Sequence, residues 1–374
     1  MAKKESQNTL LAHSEAKIKL FGQYIQKYLN IIVNDGYTEQ IHLYDLFCGP
    51  GVYDNNGEGS PIIALRKLKL TYYQFVKDRA DGSPKINCNF NDSDPELISR
   101  LKENIIEKKL HYNSYGQLNL TSEDYIDIVD RLSVQFKALK KEKAFVFIDP
   151  YGYKEVRASH IFDLLNCNKK SEVLLWLPIQ FMYRFSENGT PDVLKSFNEQ
   201  LGIEKENTAI KNVWEYIFEL KNGFQTFLGQ DYFVDNFTLR KEENTVFCLF
   251  FFSSHIRGYE KMLETKWELD TEAGRGWKYN GQIKDLFSGQ ETNRLEELLL
   301  PYLKGEGRTN GMLFEFTLRQ GFLPKHLNQI LKELQKNEKI ELQRKDGSKP
   351  RKGAFYINYD AYKSEYDKLS IKLK

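Results

Sequence analysis

Leu43-Tyr44-Asp45-Leu46-Phe47-Cys48-Gly49-Pro50-Gly51 is the stretch on which the reading of this chain turns. The apolar run from Ile41 to Phe47 has the length of a buried strand and stops at a turn of two glycines and a proline. A ligand packed against the carboxyl end of a strand needs backbone there without a Cβ, and Gly49 and Gly51 provide it. The turn does not match the G-x-G-x-x-G dinucleotide fingerprint, which argues against a nicotinamide or flavin. A plain strand-to-helix turn is the structural alternative.

Outward from this turn, strand and helix patterns alternate. Ahead of it, Ile18, Phe21, Ile25, Leu29 and Ile32 recur at helical spacing and predict an amphipathic helix over His13 to Val33. Behind it, a helix starts near Ser60-Pro61, and a strand from Ile86 to Asn91 leads into a helix opening at Asp94-Pro95. A weak strand, Gln117 to Leu120, precedes a helix from Ser122 to about Leu139. Strong strands follow at Ala144 to Ile148 and Val173 to Leu177. Pro191 to Gly229 reads as a helical insertion, and Tyr232 to Leu239 with Thr245 to Ser253 as a hairpin around Arg240 to Asn244. The expectation is an α/β fold, an open and mostly parallel sheet with helices on both faces. Five parallel strands closed by a hairpin is the Rossmann-like class I methyltransferase plan.

A boundary falls near Gly289, giving residues 1–289 as this domain, with the helical insertion at about 190–230, and 290–374 as a second. In the second, helices at Glu291 to Leu303 and Pro324 to Asn337 lead to Lys339 to Gln343, a turn from Arg344 to Gly353, and Ala354 to Ile357. A helix followed by a two-stranded wing with a basic tip is how a winged helix-turn-helix reads. Two bodies also suit 374 residues, given ordinary domains of ~100 to 200 residues.

The net charge of +2 gives no global field toward nucleic acid or membrane, so any such binding is local. From Arg319 onward, however, cations outnumber acids roughly two to one, which points to the wing around Lys345 to Lys352. The four cysteines lie far apart without C-x-x-C spacing and read as buried thiols. No apolar run approaches the ~20 residues that span a bilayer, and Met1 to Asn8 has no signal-peptide core, so a cytoplasmic location is expected.

Carboxylates recur at the strand ends. Asp92 follows the second strand, where a nucleoside-binding fold places an acid for the ribose hydroxyls, while Asp94 before Pro95 reads as a helix cap. In Ser122-Glu123-Asp124, capping competes evenly with a contact to adenine. Phe147-Ile148-Asp149-Pro150-Tyr151-Gly152 ends the strongest strand: a carboxylate there accepts a hydrogen bond from an amine while the ring stacks on a flat substrate. Asp149 and Tyr151 are therefore the candidate catalytic pair, with a polar turn as the alternative. His13 and Lys17 share a helical face and could meet an acidic partner or substrate, though a solvated face is commoner. His255, beside Arg257, either projects over the same pocket or serves a loop. Asp45, Asp92 and Asp149 lack the close spacing of a metal site, so a metal nuclease is the weakest reading.

The Asp-Leu-Phe-Cys-Gly-Pro-Gly and Asp-Pro-Tyr-Gly turns resemble motifs I and IV of class I methyltransferases. Four blocks together resemble the bacterial three-Cys-motif partner protein (TcmP) family: His13 with Lys17, the glycine turn with Gly59-Ser60-Pro61, Phe147 to Gly152, and Phe250 to Gly258. The resemblance spans roughly residues 10 to 280. It implies a methyltransferase-like fold and genomic association with a three-cysteine, radical-SAM-like protein. It also implies S-adenosylmethionine as cofactor, with Asp45, Gly49 and Gly51 lining its methionine part, Asp92 its ribose, and Asp149 and Tyr151 on the substrate side; Phe47 and Asp124, at strand ends of the same edge, complete the expected cofactor set. His13, Lys17 and His255 would contact substrate. The chain lacks the second proline of the amino-methyltransferase motif Asp-Pro-Pro-Tyr and the Pro-Cys nucleophile of cytosine-C5 enzymes. The leading expectation is a methyltransferase acting on nucleic acid. A non-catalytic accessory module, working through a three-Cys-motif protein or DNA in a mobile-element or phage-related system, is the alternative.

Overall fold

The computed structural model describes residues 12–79, 83–152, 156–167, 169–187, 191–203, 210, 212–242, 245–270, 276–278, 291–344, 346–348, 350–364 and 369–374. These fall into two compact units, drawn from 1–258 with 276–281 and from 259–275 with 282–374.

The first unit is built around β4 (Glu142–Ile148), whose alternating side chains separate two cores. Phe145 and Phe147 face α1 (Ala12–Ile32), where the Phe21 and Phe147 ring centroids lie 4.7 Å apart and those of Tyr24 and Phe145 5.7 Å apart. Ala144, Val146 and Ile148 face the opposite core, made with α4 (Tyr125–Lys137), α5 (Ala158–Leu165) and α8 (Val213–Leu228). A strand covered on both faces has no solvent side, so its apolar run is continuous.

Around it lie β1 (Gln40–Asp45), β2 (Lys85–Asn91), β3 (Leu118–Thr121) and β5 (Ser171–Leu177), all parallel. The hairpin of β6 (Phe233–Glu242) and β7 (Thr245–Ser253) runs with β7 antiparallel to β5, and β8 (Gly276–Lys278) joins β6 at the far edge. The order is β3-β2-β1-β4-β5-β7-β6-β8. Its first seven strands follow the class I methyltransferase sheet, as the alternation predicts. Helices α2 (Ser60–Thr71) and α3 (Pro95–Glu107) make the βα crossovers after β1 and β2. In the expected insertion α7 (Asp192–Gln200) and α8 are helical, while 204–209 and 211 lie outside the described residues; a further helix, α6 (Ile179–Glu187), precedes it after β5.

At the strand-starting edge, buried Glu172 accepts hydrogen bonds from the Tyr24 hydroxyl and, at 2.9 Å, from Ser253 Oγ. Ser253 Oγ in turn accepts from the His255 amide at 3.0 Å. Burial pushes the Glu172 carboxyl up to about 7, against the smaller opposing pull of those hydroxyls. Gly258, in α9 (Ile256–Leu269), closes over this group: a Cβ there would lie 1.8 Å from Glu172 Oε1. Gly258→Ala should therefore lower stability by about 2 kcal/mol through overpacking, measured by urea unfolding. The Phe250 to Gly258 block thus carries a packing role, with Ser253 and Gly258 as its essential members.

In the second unit, α10 (Glu291–Leu303), α11 (Asn310–Arg319) and α12 (Pro324–Lys336) accompany a sheet of order β10-β11-β9, formed by β10 (Ile340–Arg344), β11 (Leu369–Leu373) and the short β9 (Arg308–Thr309). Thr309 Oγ1 caps α11 at the Met312 amide, 3.2 Å away. The predicted second wing strand at Ala354 to Ile357 is corrected: that segment is not a strand, and β10 pairs antiparallel with Leu369–Leu373. The alternation of Leu369 and Ile371 inward supplies the buried face, whereas Tyr356 takes a left-handed φ of 53° that interrupts extended structure. Of the expected basic tip, Arg344, Arg351 and Lys352 are exposed, and Lys345 and Lys349 lie outside the described residues. No described helix is long and apolar enough to cross a membrane.

Candidate active site at the carboxyl ends of β1, β2 and β4

The parallel strands bring Asp45, Asp92 and Asp149 to one edge of the sheet. Asp45 is the last residue of β1, aligned with Phe90 on β2 and Phe147 on β4, so the acids follow their strands by no more than two residues. Its Oδ1 accepts the Phe47 amide at 3.3 Å. Its Oδ2 is buried and accepts no hydrogen bond among the described residues. Burial raises the Asp45 carboxyl to about 7, against the smaller opposing pull of the Ser60 side chain, and the charge of Asp149 adds to the rise.

The turn after β1 has the shape its glycines permit. Gly49 takes a φ of 60° and Gly51 one of 76°, left-handed values costly for other residues. Their roles differ. A Cβ on Gly49 would meet only the Tyr53 hydroxyl, at an ordinary contact distance of 3.7 Å, so that side of the backbone is uncrowded. A Cβ on Gly51 would lie 2.5 Å from Leu101 Cδ1, so that glycine lets α3 approach. The Gly49 amide donates to Asp92 Oδ2 at 3.1 Å, and the Asp94 amide to Asp92 Oδ1 at 3.0 Å. Asp92 is thereby buried, oriented and left with lone pairs to spare, although burial still pushes its carboxyl up. Asp94 caps α3 at the Glu96 amide, as its position before Pro95 predicts.

Asp149 is held by an ion pair with Lys17 of α1, whose ammonium also sits 4.9 Å over the ring of Trp176 on β5. Lys17 is thus not on a solvated face; its side chain is 10% exposed and joins α1 to the site. Tyr151 is half-exposed, yet its hydroxyl is shielded, and that shielding with the charges of Asp92 and Asp149 raises the phenol above its ordinary value. His13 is helical in α1, with its side chain outside the described set.

Two expected contacts have protein partners of their own, and a third lies elsewhere. Asp124 is exposed and caps α4 at the Ile126 amide, 2.8 Å away, the capping role that the sequence offers beside a contact to adenine. Phe47 stacks on Tyr125 at 5.1 Å, which fixes the turn against α4. His255 is corrected outright: β7 runs antiparallel to β5 with Ser253 opposite Glu172, so His255 lies at the strand-starting edge, roughly 20 Å along β5 from Asp149.

Two residues escaped the sequence reading. Tyr53 faces the acids: burial, and after it the charges of Asp149 and Asp45, raise its phenol. An aromatic residue two positions past the glycine turn was the available signal. Asn91 fastens three strand ends together. Its Nδ2 donates to the carbonyls of Leu46 and Glu123 at 3.3 and 3.1 Å, and its Oδ1 accepts from the Glu123 amide and Thr121 Oγ1, both at 2.9 Å. Cys48 is a buried thiol whose pKa is raised by burial and by Asp45 and Asp92, so it is not poised as a nucleophile.

The fold and this edge define an α/β unit of class I methyltransferase architecture carrying a buried acidic cluster around a glycine turn. Residues 278–347 match the family model of the GMT-like wHTH domain. No curated protein matches the chain. Among solved structures, a Legionella pneumophila protein of the DUF519 family is similar at 12% identity, over 64% of this chain and 86% of that one, with a TM-score of 0.38. A Bacillus cereus O-methyltransferase in complex with SAH is similar at 11% identity, over 62% and 80%, with a TM-score of 0.33. The methyltransferase domain of bacterial CtHen1-CN is similar at 13% identity, over 63% and 99%, with a TM-score of 0.32.

Proposed function

We propose that the first unit binds S-adenosylmethionine and methylates an acceptor held against Asp149 and Tyr151. The observation that carries this reading is the buried Asp45 Oδ2, which accepts no hydrogen bond among the described residues, in the turn where Gly49 leaves the backbone without a side chain. An orphaned carboxylate oxygen at a strand end is costly unless a ligand completes it. The residues fit the cofactor: Asp92 has the position and the free lone pairs for ribose hydroxyls, and Asp45 suits the cationic methionine part. S-adenosylmethionine supplies an electrophilic methyl group when bound.

Asp149, already engaged by Lys17, orients the acceptor as a hydrogen-bond acceptor, and Lys17 balances its charge. Tyr151 offers a half-exposed ring to a flat acceptor such as a nucleobase, and the second unit, with its winged-helix match, provides a place for the phosphates. Catalysis then rests on holding acceptor and methyl group in line. An accessory role beside a three-Cys-motif protein is the reading left standing if the cofactor does not bind.

Calorimetry with S-adenosylmethionine and S-adenosylhomocysteine tests this. Saturable binding is expected for the wild type and its loss in Asp92→Ala. Because Asp45 holds its proton up to about pH 7 and a cationic ligand favours the ionised form, affinity should fall up to about tenfold per pH unit below 7. In Asp45→Asn that pH dependence should vanish. No heat with the wild type at pH 8 would sink the enzymatic reading.

A further inference from the structure

The opposite edge of the first unit carries a cluster that the proposed chemistry does not use. Tyr72, Tyr73 and Tyr112 surround the buried ring of Tyr115, with centroids 4.5, 6.4 and 5.6 Å from it. Tyr72 and Tyr115 are partly or fully buried and account for the packing. Tyr73 and Tyr112 go beyond it, remaining 49% and 46% exposed. Lys77 lies over the Tyr73 ring at 5.4 Å and Lys69 over the Tyr112 ring at 5.9 Å.

The backbone presents these rings deliberately. At the end of α2 the helix widens into a π turn, Tyr72–Val76, in which no residue is buried, a departure that often accompanies a functional site. Beside Tyr115, His111 has a buried Nε2 with no hydrogen-bond partner among the described residues. The charge is one-sided: residues 67–79 hold Lys67, Lys69, Lys77 and Arg79 against the single acid Asp78. Lys85, at the start of β2, and Lys109 border the same group through contacts to Ser114 and Lys69.

We propose that this tyrosine and lysine cluster is a binding surface for single-stranded nucleic acid. Exposed aromatic rings stack with bases of any sequence, and lysines beside them neutralise the intervening phosphates. A membrane surface would ask for a contiguous apolar face; here the exposed rings carry hydroxyls and are interleaved with cations. The surface stands apart from the cofactor pocket, at the edge where β2 begins, and would anchor a strand whose reacting base lies elsewhere. It does not rest on cofactor binding, but it specifies the acceptor class of the proposed methyl transfer.

The test is fluorescence anisotropy of the full chain with labelled fifteen-nucleotide oligothymidylate and oligouridylate, in a salt series. The wild type should bind, and comparison of the two probes tells DNA from RNA. Tyr73→Ala and Tyr112→Ala should each weaken binding roughly tenfold. Lys77→Ala should reduce the slope of log affinity against log salt by about 0.7. Both tyrosines are surface residues, so circular dichroism should show these variants folded. Asp92→Ala, which should abolish cofactor binding, should bind the oligonucleotides normally; this separates the two proposals. Unchanged affinity in the tyrosine double variant, or binding of phosphatidylserine vesicles without binding of either oligonucleotide, overturns the proposal.

Discussion

Asp45→Asn is expected to leave the protein more stable at pH 8 than the wild type while weakening its binding of the proposed cofactor. The folded-state carboxyl titrates at about 7, against 3.8 for an ordinary aspartate. Below about pH 4 both folded and unfolded chains hold the proton, and the two proteins should unfold alike. Between 4 and 7 the unfolded chain has released its proton and the folded chain has not, so stability conferred by the neutral form declines as pH rises. Above 7 the whole penalty of the buried charge is present, at most about 4 kcal/mol. Asparagine keeps an acceptor for the Phe47 amide and carries no charge, so it escapes that penalty. Urea unfolding of both proteins from pH 4 to 8 measures it. Curves that stay parallel across the range would show that Asp45 is not the buried acid described here. A gain in stability coupled to weaker binding is what a group kept for its ligand, and not for the fold, should give.

Lys17→Met should cost about 3 kcal/mol, because it strands the carboxylate of Asp149, whose side chain is only 18% exposed. Asp149→Asn should cost a similar amount by stranding the ammonium over Trp176. Combined, the two substitutions should cost far less than their sum, since a neutral asparagine and an apolar methionine can share the space. The double-mutant cycle by urea unfolding reads this coupling. Additive losses would mean that the two residues are stabilised separately. The same variants bear on function: freed from Lys17, Asp149 alone should orient an acceptor poorly, so turnover should drop even where the cofactor still binds.

The sheet was legible because β2, β4 and β5 are buried on both faces and because three strands end at a chemical mark: Gly49-Pro50-Gly51 after β1, Asp94-Pro95 after β2, Asp149-Pro150 after β4. Strand alternation could not reveal α5 or α9, short or charged helices whose apolar faces are set by contacts far along the chain. The site was half legible. Asp45, Asp92 and Asp149 announce themselves by position, because carboxylates at successive strand ends must share an edge. The partner of Asp149 did not, since Lys17 is 132 residues away and its burial depends on how α1 lies over β4 and β5. His255 was misplaced for a topological reason. A residue after a strand sits at the carboxyl edge only if that strand is parallel to the others, and β7 is not. Asp124 shows the reverse ambiguity, for an acid before a helix serves the helix first.

The Asn91 clasp has a consequence for how this chain can diverge. Both donors and both acceptor sites of one carboxamide are engaged at once. Aspartate lacks the donors, glutamine extends a methylene too far, and no apolar residue supplies either. On backbone grounds Gly49, at a φ of 60°, admits asparagine, because asparagine can enter left-handed backbone. Position 91 has no such substitute. In a remote relative whose glycine turn has faded, an asparagine followed by aspartate at the end of the second strand would be the more durable mark of descent.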